Sequence, residues 1–270
     1  MTTRKLATMA VIVAICCNVF RRHFVYAYQT TIKPLMKKIL LSLCGLLLLA
    51  SAFGQTTELA VSLNSGLFSF AGRSATSSSF INYSPSNPSY TNDPYGSRSG
   101  LSYGLSATIK RVIHRHLLIG VDAGYEDLRS KVAINSVSEG LGYENFSVAT
   151  HGQTILTSRF IALEPFLGYR FTPGKVNVDL TGGVDLAHCL SARENGKAEE
   201  DNGISYHTSV DRKTISTDLR PRVQVSAGYR RAFVYVGYSF GVSNYMTGYI
   251  GGPAGAYGRL FRFGIGYRLL

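Results

Sequence analysis

The chain has 270 residues, of which 45% are hydrophobic, 16% charged and 11% aromatic, with 28 Gly, 17 Tyr and no Trp. So small a charged fraction with so much Gly argues against a helical or coiled-coil protein, and the aromatic content argues against disorder. The net charge of +12 invites a nucleic-acid partner, but Arg4, Lys5, Arg21, Arg22, Lys33, Lys37 and Lys38 lie within residues 1–54, which hold no acid. The remainder therefore carries 12 less 7, or +5, and a nucleic-acid role is not expected.

A basic, acid-free start followed by an apolar run has the form of a secretory signal. Met36-Lys37-Lys38 supplies the basic part, residues 39–49 the apolar part, and Ala50-Ser51-Ala52-Phe53-Gly54 the small residues for cleavage. Residues 36–54 are thus read as a signal peptide, leaving Gln55 first in the mature chain, with cleavage after Ala52 as the alternative. Upstream, the apolar run 6–20 has 15 residues, short of the roughly 20 that a membrane helix needs. Residues 1–35 read as a mis-assigned extension ahead of a true start at Met36, or as a leader extension that anchors the chain. Loss of Cys16, Cys17 and Cys44 with the leader leaves Cys189 as the mature cysteine, so no internal disulfide is expected.

From residue 55 onward no apolar run reaches 18 residues, and period-two alternation recurs eight times. The segments are 59–67, 101–109, 117–125, 161–171, 176–186, 223–229, 234–240 and 261–269. In the fifth, Val176, Val178, Leu180, Val184 and Leu186 alternate with Asn177, Asp179, Thr181, Gly183 and Asp185, and a helix of that sequence would have no coherent face. Short connections fall around 111–116, at 172–175 and at 230–231; long ones cover 71–100, 129–152, 191–211 and 246–256. Residues 84–96, rich in Ser, Pro and Asn, are expected to hold no regular structure, while an extra strand pair around 80–83 stays open. Short turns at one end and long loops at the other describe an up-and-down meander, and closure removes its two edges.

Which face points outward follows from composition. The polar face is built from Gly, Ser and Ala with interspersed long charges, which suits the interior of a narrow barrel, and the apolar face carries almost no charge. The fold class predicted is all-β, an eight-stranded antiparallel up-and-down transmembrane β-barrel over 55–270, preceded by the signal peptide. Tyr169, Phe171, Tyr229 and Tyr267 at the short-turn end, with Tyr103, Tyr125, Phe240 and Phe261 at the other, form two aromatic girdles. Inward charges are Glu58, Asp122, Glu126, Glu164, Asp179 and Asp185 with Lys110, Arg170, Arg222, Arg262 and Arg268. Unpaired buried charge is costly, so these are expected to form a salt-bridged plug.

The stretch Leu163-Glu164-Pro165-Phe166-Leu167-Gly168-Tyr169-Arg170-Phe171, a turn, then Val178-Asp179-Leu180-Thr181-Gly182-Gly183 resembles the strand, tight turn and Gly-containing strand of a known group. That group is the small outer-membrane β-barrel proteins of Gram-negative bacteria, OmpA/OmpX-like, and especially the β-barrel domain common in Bacteroidetes. The resemblance covers 55–270 and implies an outer-membrane location and contact with outer-membrane lipid. Phe261, Phe263, Ile265, Tyr267 and Leu269 resemble the C-terminal signal read by the barrel assembly machinery, although the chain ends in Leu269-Leu270 instead of a terminal aromatic.

Other chemistry is thinly supported. A lipid A hydrolase needs Ser, His and an acid together at the outer rim; His151, His188 and His207 with Ser158, Ser191, Ser205 and Glu144 lie near the loop end, with no spacing that singles out a trio. His188-Cys189 lacks a second pair of metal ligands. No catalytic, cofactor or metal residue is assigned. Glu199-Glu200-Asp201 beside Lys197 reads as a solvated tip, and Tyr83, Tyr90 and Tyr95 offer contact area to an extracellular partner. The expectation is a monomeric structural or surface-interaction protein with periplasmic termini, a small-solute pore or a hydrolase being the alternatives.

Overall fold

The computed structural model describes residues 56–84, 87–141, 144–248 and 254–269; the readings on residues 1–54 and on the cleavage site lie outside them. The described residues form strands and no helix. In chain order these are β1 (Thr56–Ala71), β2 (Ser78–Tyr83), β3 (Tyr90–Thr91), β4 (Arg98–Ile113), β5 (Leu117–Leu141), β6 (Glu144–Phe171), β7 (Val176–Glu199), β8 (Ser205–Asp211), β9 (Thr217–Tyr229), β10 (Ala232–Phe240) and β11 (Tyr257–Arg268).

Eight of them make a circuit of antiparallel ladders. β1 pairs with β4, and the order continues through β5, β6, β7, β9, β10 and β11. β11 returns to β1 in the register Ala60↔Arg268 to Ala71↔Tyr257, so the sheet closes on itself. These eight contain all the alternating segments read from the sequence. Small residues on the inner face leave room for the large ones opposite: the Phe233 ring lies where a side chain at Gly266 would stand, and Tyr235 does the same at Gly264.

The long connections differ from expectation. β5 and β6 run on as one hairpin to the pair Leu141↔Glu144, where a loop was predicted over 129–152. β7 continues to Glu199 and pairs with β8 across the predicted loop 191–211. Within 71–100, β2 lies parallel to β5 and β3 pairs with β2, so Tyr90–Thr91 is ordered within the stretch expected to be irregular. Thus β2 takes over beside β5 where β4 stops, and β8 takes over beside β7 above β9, which builds a second storey on the ring.

The reason is an inversion within single strands. Along β5, Leu117, Ile119 and Tyr125 are exposed while Gly120 and Glu126 are buried; beyond them Leu128, Val132 and Ile134 turn inward and Asp127, Arg129 and Lys131 face outward. β6 does the same, from exposed Tyr169, Leu167 and Ile161 over buried Arg170 and Glu164 to exposed Arg159 over buried Leu156. In β7 a bulge between the pairs Phe160↔Cys189 and Arg159↔Ser191 accompanies the change. Alternation persists, but the apolar set moves by one position, and a sequence pattern reads this as the end of a strand.

Two apolar cores occupy the upper part. Phe68, Phe70, Tyr95, Leu128, Leu156, Phe160, Tyr245 and Leu260 cluster above the charged interior. Ile81, Val132, Ile134, Val137, Ala198 and Tyr206 fill the second storey.

Candidate functional site

The interior of the ring is stacked in layers. Nearest the short turns, Arg170 bridges two strands' carboxylates: it donates to Glu58 at 2.5 and 3.0 Å and to Asp179 at 2.6 and 2.8 Å. Lys110 Nζ lies 2.5 Å from Asp179 and 3.4 Å from Glu58, and Arg268 Nε is 3.4 Å from Glu58. The planar guanidinium suits this double bidentate role, because each fork meets a carboxylate edge.

The middle layer holds more acids than bases. Arg222 donates to Glu164 and lies 3.5 Å from Asp185 and 3.7 Å from Asp122. Arg262 Nη2 is 2.6 Å from Glu126 and 3.3 Å from Asp185. Arg220 donates to the other Glu126 oxygen at 2.6 Å, with Asp185 at 3.6 Å and Asp218 at 3.8 Å. Thr108 donates to Asp122 at 2.8 Å and Ser239 to Asp185 at 3.1 Å. Between these groups a cavity of about 10 Å³, lined by Asp122, Glu126, Glu164, Asp185, Arg222 and Arg262 among others, has room for one water.

Above it, Phe70 packs edge-on against Phe68, Tyr95 and Tyr245 with centroids 5.0, 5.1 and 4.8 Å apart. The Arg220 guanidinium lies over the Phe160 ring at 5.5 Å, which joins the charged layer to the aromatic one. Tyr245 donates to Asp218 at 2.7 Å, and Tyr95 donates to the Tyr245 carbonyl at 3.3 Å. Burial pushes the Tyr245 phenol well above its ordinary range, and the Asp218 carboxylate adds to the shift. The second storey has its own lock. Glu194 accepts from the Thr91 N–H at 2.8 Å and from Arg212 Nε at 2.6 Å, and Arg212 donates to the Thr91 carbonyl. Both backbone groups of an edge residue are thereby satisfied by side chains.

The structure brings together all eleven charges read from the sequence: Glu58, Lys110, Arg170, Asp179 and Arg268 in the lower layer, the other six in the middle one. Sequence reading missed Arg220 and Asp218, which share the inner parity of Arg222 but stand beyond Pro221, a residue that normally ends an inner strand. It also missed Tyr245, within a loop, and Glu194, which the bulge puts out of step. The girdle residues Tyr103, Tyr125, Tyr169, Phe171, Tyr229, Phe240, Phe261 and Tyr267 are all exposed on the outer face. Ser158 is buried and points inward, whereas His151, His188 and His207 are exposed. His188 faces out while Cys189 packs on the inner aromatic cluster, so the two do not share a face. Among the described residues no three His, Cys, Asp or Glu converge as a metal site.

No family model matches the chain, and no curated protein matches it. Among solved structures it is similar to Neisserial surface protein A, at 12% identity over 78% of this chain and 98% of that one, with a TM-score of 0.32. It is also similar to Ail, the attachment invasion locus protein of Yersinia pestis, in complex with the heparin analogue sucrose octasulfate, at 10% identity over 80% and 100% of the two chains and a TM-score of 0.30. A second structure of Ail gives 10%, 79%, 97% and 0.28. Both proteins are small outer-membrane β-barrels.

Proposed function

We propose that residues 55–270 form an outer-membrane β-barrel with a plugged interior and a structural or surface-interaction role, its short turns and both termini of the mature chain in the periplasm. The observation that carries this reading is the inversion along β5, β6 and β7. Along three continuous strands the outer face changes from apolar to charged at a common level, as it must where the surroundings change from lipid to water. Below that level Leu63, Leu167 and Ile265 are 61%, 65% and 63% exposed, while Asp179, Asp185 and Arg220 are 1%, 1% and 0% exposed. In water that arrangement would be inside out.

The ion-paired layers and the aromatic cluster favour a plug over a small-solute pore, because a path for solute would have to break buried charge pairs. The storey built from β2, β3 and β8 above the lipid is the surface through which an extracellular partner would be met. The C-terminal strand β11 would be the part read during barrel assembly. Membrane-extracted protein should migrate faster in an unheated denaturing gel than after boiling, since a closed ladder resists detergent until heated. Identical migration, or recovery of the protein in the soluble periplasmic fraction, would remove the barrel premise.

A further inference from the structure

At the short-turn end the hairpin β4–β5 turns through His114-Arg115, with the His116 N–H donating to the Ile113 carbonyl at 3.2 Å. Both central residues have positive φ, 48° and 68°, the mirror-image turn for which Asn-Gly is favoured because a side chain there crowds the backbone. The hairpin β9–β10 turns through Arg230-Arg231, with Arg230 at φ 55°. These three are the positive-φ residues other than glycine among those described, and all are basic. The third turn, 172–175, places Gly174 at φ 65° and follows it with Lys175. The fold therefore accepts glycine at such a position, yet in the other two turns basic residues occupy it against the backbone's preference.

The turns carry no acid: His114, Arg115, Lys175, Arg230 and Arg231 are exposed, while the nearby Glu58 and Asp179 are buried in ion pairs. The turn side chains also stand at the radius of the wall. The Arg230 guanidinium covers the Tyr229 ring at 5.3 Å, and beside the other turn the His116 ring stacks on Tyr169 at 5.3 Å with 6° between planes. Both aromatics belong to the lower girdle, so the charge sits where lipid headgroups begin. A periplasmic polymer would instead be met from below.

We propose that the short-turn rim is a binding surface for anionic phospholipid headgroups of the leaflet that surrounds it, with the two hairpin turns supplying phosphate-directed cations. This rests on the barrel reading. Protein extracted from expressing cells is exchanged into bilayer discs of phosphatidylcholine with one quarter phosphatidylglycerol, and the lipids it retains are counted by mass spectrometry. Phosphatidylglycerol should be enriched several-fold over its share of the disc. The variant His114→Asn, Arg115→Gly, Arg230→Gly, Arg231→Asn should lose that enrichment yet unfold at the same or higher temperature in pure phosphatidylcholine, because it places favoured residues at the positive-φ positions of both turns. Enrichment that survives in the variant, or is absent from the parent, overturns the proposal. Retention of an anionic cell-wall polymer without lipid enrichment overturns it also. The heat-modifiable shift is read on the same discs: with the shift present, only the lipid proposal is at stake; without it, the barrel reading fails and takes the proposal with it.

Discussion

Arg170 and Tyr245 are where single side chains decide most. Arg170 makes two hydrogen bonds to each of two buried carboxylates, and Lys110 and Arg268 would remain beside them. Arg170→Met should therefore destabilise the barrel by about 3 kcal/mol, the low end of the cost of breaking a buried ion pair. The check is the urea midpoint for loss of the fast-migrating gel form. Tyr245 ties the loop after β10 to Asp218. Its raised phenol pKa means that the folded state holds the proton more tightly than the unfolded one. That contribution is complete below the ordinary tyrosine pKa of about 10 and is lost as pH rises above it. Alkaline buffer above that value should therefore loosen the aromatic cluster, read as faster proteolysis within 241–256, and Tyr245→Phe should abolish the pH step. The same substitution should cost about 1–3 kcal/mol at neutral pH by leaving a buried acceptor unpaired.

Among the elements, the ring strands were legible because lipid-type alternation is strong where one face is apolar and the other small or charged. The upper halves of β5, β6 and β7 were not, although their alternation is equally regular. There Leu128, Val132 and Ile134 occupy the parity that Gly120 and Glu126 hold below, and no local pattern announces a change of solvent. β8 was hidden for a different reason: Ser205 to Asp211 is polar on the outer face and presents Tyr206 alone as a large apolar anchor. The site followed the same division, since charges in step with Arg222 and Glu164 could be found and Glu194, beyond a bulge, could not. The lock at Thr91 gives a test on this scale. Glu194→Ala or Arg212→Ala should free β3 from Glu194 of β7 and from the segment after β8, seen as rapid hydrogen exchange at Thr91 and cleavage within 84–97, with the heat-modifiable shift unchanged.

The whole molecule has two interiors on one set of strands, an ion-paired one within the ring and an apolar one above it. In both, the buried side chains pair or stack with one another. Wild-type protein in planar bilayers should accordingly stay silent, and discrete channel openings would overturn the plug. The +12 of the full chain resolves on this scale as well. Seven of those charges lie in residues 1–54, and the interior of the ring encloses the six bases and seven acids named above, so the surplus of the remainder lies outside that interior and a basic total says little about a nucleic acid.

A hairpin that runs from the closed ring into the storey above it also has a mechanical meaning. Tension applied at the tip beyond Leu141 and Glu144 loads the backbone bonds of β5 and β6 one after another, as a zipper opens. From the pair His151↔Glu199 downward β6 is also held by β7, and β5 by β2 and then β4, so the same pull meets bonds on both flanks that must fail together. The protein should yield in small steps down to that level and then hold, a fuse in series with an anchor. A pull on this surface would open the tip of the β5–β6 hairpin before it reached the ring.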